Sequence, residues 1–364
     1  MKNSEIVKKI LNVMEREHLN LYHNVTKEEV LNYINSNKNI DNLNKIEFDS
    51  FMLKLFALFK DAHTTYFIPY KEMNRDFTYV KGIFYIKIND NYYKVLKICD
   101  KNIKEIIKEI IPILNYETDE WKNICIRRLL KNEYCYEMLG LTSDEKVKIE
   151  YEKDDGSIEI EILHCVSEEE YIKMINKDLR PYYFKILDNN ILYFRYYRCR
   201  EVKEYPFITF LEDMKREIDR LNIKDYILDV RENSGGDSKV INPFKEYLKN
   251  NKMNGVVLMD NGTFSSGRFA VAQFKDLFNC TLIGEAIGSP VKAYGNTKIL
   301  HVDGFGFTVS TNLWDFSSVF ENEKIIKPNI EVINTIENMK NKKDIQLETA
   351  INYILNMRNN KKLL

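Results

Sequence analysis

A serine at a tight turn between a strand and a helix can act as a nucleophile, because the helix N-terminus favours negative charge developing on its oxygen. The segment Asn261-Gly262-Thr263-Phe264-Ser265-Ser266-Gly267-Arg268 lies between an apolar strand-like run, 256–259, and an apolar helical run. It offers two such serines, and either would equally suit a helix N-cap. It is not the Gly-x-Ser-x-Gly elbow of α/β-hydrolases. A second loop, Asp229-Val230-Arg231-Glu232-Asn233-Ser234-Gly235-Gly236-Asp237, follows the strand-like 226–230. Paired glycines there let consecutive N–H groups point into a cleft, where they can hold an anion such as a phosphate or the oxyanion of a tetrahedral intermediate. The plainer alternative is an ordinary strand-to-helix turn. No Gly-Lys-Ser/Thr follows, so the loop is not of the Walker type. The third element is His63, in Lys60-Asp61-Ala62-His63-Thr64 at the end of a helical region. A histidine there can be a general base, or simply a partner for the helix C-terminal dipole.

These three places need a scaffold, and the chain is long enough to build one. It has 364 residues, 44% hydrophobic and 30% charged, which predicts a globular protein with a real core. Lys+Arg 54 against Asp+Glu 55 leave a net charge of -1, so there is no basic footprint for nucleic acid. No apolar run reaches the ~18–20 residues of a spanning helix, and the N-terminus reads as an amphipathic helix without a secretory signal. Cys99, Cys125, Cys135, Cys165, Cys199 and Cys280 form no Cys-x-x-Cys or zinc-like spacing. The expectation is reduced thiols in a cytoplasm, with no membrane insertion.

The apolar pattern has a helical period from about 4 to 60, with Thr26 and Glu29 spaced as a capping box. It then changes. Runs at 77–80, 83–88 and 92–98 are β-branched and aromatic, a helix follows at 103–111, and 147–163 reads as a hairpin turning at Asp155-Gly156. From about 180 onward strand and helix alternate. That pattern predicts a largely parallel sheet with crossover helices, whose sites form at the carboxyl ends of the strands.

Together the motifs resemble the tail-specific, or C-terminal processing, serine peptidases. Asp229-Val230-Arg231 with Asn233, Gly235 and Gly236 is similar to that family's Asp-Leu-Arg-x-Asn-x-Gly-Gly. Gly262-Thr263-Phe264-Ser265 is similar to its Gly-Thr-Ala-Ser. Leu282-Ile283-Gly284-Glu285 with Gly288, then Pro328-Asn329-Ile330-Glu331-Val332, then Asp344 to Ala350 extend the likeness over roughly 180–355. Asp61-Ala62-His63-Thr64 resembles the Asp-Gly-His-Thr of the tricorn-core branch.

The resemblance implies an α/β core with a mixed sheet and crossover helices, ClpP/crotonase-like, over 173–364. Before it come a helical region, 1–72, and a small α+β PDZ-like module, 73–172. It implies a serine endopeptidase that works through an acyl-enzyme on peptides or unfolded protein, with no metal or organic cofactor. Ser265 would be the nucleophile and His63 its base. Glu323, with Glu321 as the alternative, would be the third member. Gly235, Gly236 and the amide of Ser266 would form the oxyanion hole, while Asp229, Arg231 and Asn233 would brace their loop.

The chain departs from the family in places. Ser289 follows Gly288 where the Ser–Lys members carry lysine, and Lys292 is out of register. Arg268 stands where glutamate is common, and Asn329 replaces aspartate. Two other classes therefore stay in view: an inactive member that binds peptides or a partner protein, and an unrelated phosphate-binding enzyme using 233–237. The oligomeric state, a homo-oligomer included, is left open.

Overall fold

Thr26 and Asn44 each begin a helix for the same local reason. Each side chain accepts the N–H of a glutamate three residues on, and that glutamate accepts the cap's own N–H. In this computed structural model, which describes every residue except 143–145, 176–177 and 363–364, the helices are Asn3–Glu17, Lys27–Ser36 and Lys45–Ala57. The first buries Ile6, Val7, Ile10, Leu11 and Met14, the apolar positions of its helical period.

The chain divides into two compact units, Met1–Lys177 with Lys292–Asp315, and Asp178–Val291 with Phe316–Leu364. In the first unit, the three helices share a core with Phe307 and Val309. These come from a long hairpin, Lys292–Val302 and Phe305–Asp315, far away in the sequence. Each large apolar side chain removed from water there contributes ~1.5–3 kcal/mol. A second core in this unit lies under an antiparallel sheet. Its strands run in the order Glu72–Met73, Ile158–Val166, Lys146–Glu152, Asn91–Ile98, Ile83–Ile88 and Asp76–Val80. Asn89 and Asp90, both at positive φ, turn the chain between two of these strands. The helix Ile103–Ile110 packs Ile106 and Ile110 into this core.

The second unit has a six-stranded sheet ordered Ile330–Glu331, Thr281–Gly284, Asn254–Met259, Asp225–Asp229, Ile191–Tyr196 and Tyr182–Leu187. All neighbours are parallel except the last pair. Helices Phe207–Leu221, Asn242–Asn250 and Ser266–Phe278 bury one face, through residues such as Phe210, Phe244 and Phe274. Ala350 and Ile354 of the helix Ile345–Lys362 bury the other. Covering both faces explains why Asp225–Asp229 is buried at every position and reads as an unbroken apolar run flanked by aspartates. The sequence-predicted α/β alternation from 180 onward is therefore present. Among the described residues no helix is long and apolar enough to cross a membrane.

Candidate active site

In the second unit the strand Asp225–Asp229 delivers its loop at the carboxyl end of the sheet, the edge at which α/β folds build sites. Asp229 is fully buried and accepts from the Tyr193 hydroxyl at 2.6 Å, from Arg195 at 2.6 Å and from Arg231 at 2.6 and 3.0 Å. Burial would raise its carboxyl, but the two arginines hold it well below the ordinary carboxylate range. Arg231 reaches onward to Asp344 at 2.7 and 2.8 Å and to Gln346 at 3.0 Å, which ties the loop to the start of the last helix. Asn233 is equally buried, donating to the Tyr196 carbonyl at 2.7 Å. The duty of these three residues is structural.

The next strand, Asn254–Met259, leads to Ser265, whose backbone is at φ 52° and ψ −122°. A non-glycine residue there is strained by ~1–3 kcal/mol, and such strain gathers at functional sites. The turn is held around it. Thr263 donates its hydroxyl to the Val230 carbonyl at 2.9 Å, Phe264 N–H donates to the Asn233 carbonyl at 2.9 Å, and Ser265 N–H donates to the Ser289 hydroxyl at 3.0 Å. Gly267 is required here, because a Cβ would meet the Asn233 carbonyl at 2.4 Å.

Ser265 occupies the N-cap position of the helix Ser266–Phe278, yet its side chain makes no capping hydrogen bond. The N-cap reading therefore fails for this residue. Ser266 differs, since its hydroxyl donates to the Gly236 carbonyl at 2.5 Å. Gly235 lies against the nucleophile candidate: a Cβ on it would stand 2.7 Å from Ser265 Cβ and 3.1 Å from its Oγ. Its N–H, however, donates to Asn233 Oδ1 at 2.9 Å. Gly236 makes no backbone N–H bond among the described residues. Ser266 opens a helix, where first-turn amides lack an intrahelical acceptor. Arg268 is buried, donates to the Pro290 carbonyl at 2.6 Å and lies over the Phe316 ring, so it secures the loop next to Ser289.

His63 belongs to the first unit, just past the helix Lys45–Ala57. Asp61 shapes its turn. One carboxylate oxygen accepts the His63 N–H at 3.0 Å, and the other accepts the Thr64 hydroxyl at 2.7 Å and His18 Nε2 at 2.8 Å. His18 Nδ1 accepts the Asn20 N–H at 2.9 Å, so Nε2 is the ring nitrogen that donates to Asp61. Burial would raise the Asp61 carboxyl, but the hydrogen bonds from His18 and Thr64 lower it to about 2. Thr308, on the long hairpin, donates to the His63 carbonyl at 2.7 Å. Asn115 clamps the same turn, donating to the carbonyls of Asp61 and Thr64 at 2.7 Å each. The imidazole itself is buried, with Gly295 close enough that a Cβ there would touch its Cε1 and Nε2 at 3.7 Å.

Asp61, His63 and Glu117 bring their ligand-type atoms within 4.8 Å of one another, the one such group among the described residues. The three hydrogen bonds already on Asp61 make it a poor metal ligand as it stands. Glu323 sits on an exposed loop of the second unit, its side chain 43% accessible and paired with Lys327 at 3.3 Å. Glu321 is exposed as well. Lys292 pairs with Asp315 at 3.3 Å. His18, Glu117 and Ser289 carry contacts that no local motif announces.

No family model and no curated protein matches the chain. Solved structures do. Mature CPAF complexed with lactacystin superposes with a TM-score of 0.68 at 9% identity, over 98% of this chain and 99% of its own. The photosystem II D1 C-terminal processing protease gives 0.51 at 12% identity, over 92% and 94%. The tricorn protease gives 0.52 at 11% identity, over 98% of this chain and 37% of tricorn. The chain shares their fold. The expected α/β sheet with crossover helices is present, within a fold shared along nearly the full length of the chain.

Proposed function

We propose that the chain is a serine endopeptidase acting on peptides or unfolded protein segments. The observation that carries this reading is Ser265, a strained, non-capping serine at a strand-to-helix turn, with the Gly235 backbone against its hydroxyl. The fold shared with the photosystem II D1 C-terminal processing protease and the tricorn protease supports it.

In the mechanism, His63 accepts the Ser265 hydroxyl proton as Oγ attacks the scissile carbonyl carbon. The amides of Gly236 and Ser266 receive the resulting oxyanion, while Gly235, its own N–H turned to Asn233, supplies the close backbone approach. The imidazolium then protonates the leaving amine as the acyl-enzyme forms. Water attacks the ester, giving its proton to His63, and Ser265 recovers its own proton from that ring.

A histidine base is favoured over a lysine because Ser289 occupies the place after Gly288 and Lys292 is already paired with Asp315. This agrees with the resemblance of Asp61-Ala62-His63-Thr64 to the tricorn-core branch. We read the 173–364 core as ClpP/crotonase-like and the antiparallel sheet of the middle region as PDZ-like. We read the six cysteines, which have no Cys-x-x-Cys spacing, as the reduced thiols of a cytoplasmic protein.

A fluorophosphonate probe tests the function. Labelling lost in Ser265→Ala and kept in Ser266→Ala is the expected result. An unlabelled, folded wild-type chain would instead make it a binding module.

A further inference from the structure

We propose that Glu117 is a positioning residue that orients the His63 imidazole and stabilises its protonated form. The proposal rests on reading His63 as the general base. Its first support is geometric, since the carboxylate lies within 4.8 Å of a His63 ring nitrogen, about one side-chain adjustment or one bridging water from a hydrogen bond.

The second support is how Glu117 is held. Two residues earlier, Asn115 is bonded to the carbonyls of Asp61 and Thr64 on either side of His63. One residue later, Thr118 caps the helix Asp119–Leu130 by accepting the N–H of buried Trp121 at 3.1 Å. Glu117 thus sits between two anchored neighbours, one of them fastened to the turn that carries the histidine. That is the construction a positioned carboxylate needs.

The third support is elimination within the cluster. Asp61 has both oxygens engaged by His18, Thr64 and the His63 N–H, so it fixes the turn rather than the ring. Other titratable groups near this place include His18, His23 and Tyr294, with Cys125 against the Asn115 carbonyl and Lys122 over the ring of Tyr116. His18 Nδ1 accepts the Asn20 N–H, and burial lowers the pKa of His23, whose ring packs tilted against Tyr294. Two carboxylates beside the ring favour imidazolium, the species formed as Ser265 attacks. Glu323 has Lys327 as its partner on an exposed loop.

The test is a titration of the His63 ring by NMR in the Ser265→Ala protein. Glu117→Gln is expected to lower the His63 pKa by about one unit or more, Glu117→Asp to restore part of the shift, and Glu323→Gln to leave it alone. In active enzyme the acidic limb of kcat/KM should move to lower pH by the same amount in Glu117→Gln. Its kcat should fall at least tenfold with little change in KM. An unmoved His63 pKa in folded Glu117→Gln overturns the proposal, as does a shift produced by Glu323→Gln instead. Stoichiometric zinc binding that Glu117→Gln abolishes would also overturn it, by making the cluster a metal site. Full activity in His63→Ala would sink the catalytic reading of His63, while the NMR titration still decides whether Glu117 governs its ring.

Discussion

The backbone N–H of Ser265 donates to the side-chain hydroxyl of Ser289, which is completely buried, at 3.0 Å. With the Gly288 N–H to the Thr263 carbonyl, this bond links the strained turn to the loop following the strand Thr281–Gly284. Ser289→Ala should remove it, costing ~1 kcal/mol of stability. The same change should lower kcat more than it raises KM, because the nucleophile loses its fixed position rather than the substrate its binding surface. Steady-state kinetics beside a urea melt would check both; unchanged kcat with reduced stability would mean that the bond serves folding alone.

Ser265→Ala should abolish peptidase activity and probe labelling while leaving the melting transition nearly unchanged. Ser266→Ala should retain most activity, since its hydroxyl bonds to Gly236 and the amide persists in alanine. Reversed outcomes would place the nucleophile one residue later.

Gly235→Ala should inactivate the enzyme. The new Cβ would meet Ser265 Cβ at 2.7 Å, and φ of +104° adds strain for any L side chain. A loss of ~1–3 kcal/mol in stability is expected beside the kinetic defect. A fully active, fully stable variant would show that this loop has more room than its backbone implies.

His63→Ala should reduce kcat/KM by several orders of magnitude, and Lys292→Ala, which breaks only an exposed pair with Asp315, should be nearly silent. The kcat/KM profile of the wild type should rise through a histidine-like pKa. Sensitivity to Lys292 with indifference to His63 would move the chemistry to a Ser–Lys dyad.

Asp61 makes stability depend on acidity. Its carboxyl is lowered from 3.8 to about 2 in the folded chain, so the unfolded chain binds the proton more tightly. The stabilisation is therefore complete above pH ~4 and lost as pH falls toward 2, an effect of about 2 kcal/mol. Asp61→Asn should flatten this part of the pH dependence measured by urea melts, and should also release His18 from its partner. A slope identical to wild type between pH 4 and 2 would assign the acid sensitivity to other carboxylates.

Much of this protein follows from local pattern. Capping at Thr26, the turn at Asn89-Asp90, the hairpin at Asp155-Gly156 and the alternation of strand and helix after 180 depend on residues close in sequence. The sequence by itself also singled out Ser265 and His63 through short motifs.

Tertiary structure alone decided what surrounds them. The hairpin Lys292–Asp315 belongs with helices almost three hundred residues earlier, because Phe307 and Val309 find their apolar partners there. Glu117 comes within 4.8 Å of the histidine turn although 54 residues separate it from His63 in sequence. His18 reaches Asp61 across 43 residues, and the Ser289 hydroxyl takes the Ser265 amide across 24. A carboxylate or a hydroxyl has the same sequence signature on a solvated loop as beside a catalytic ring. Only the packing that removes water and brings a partner within hydrogen-bond reach gives it a role, and that packing is set by the whole chain.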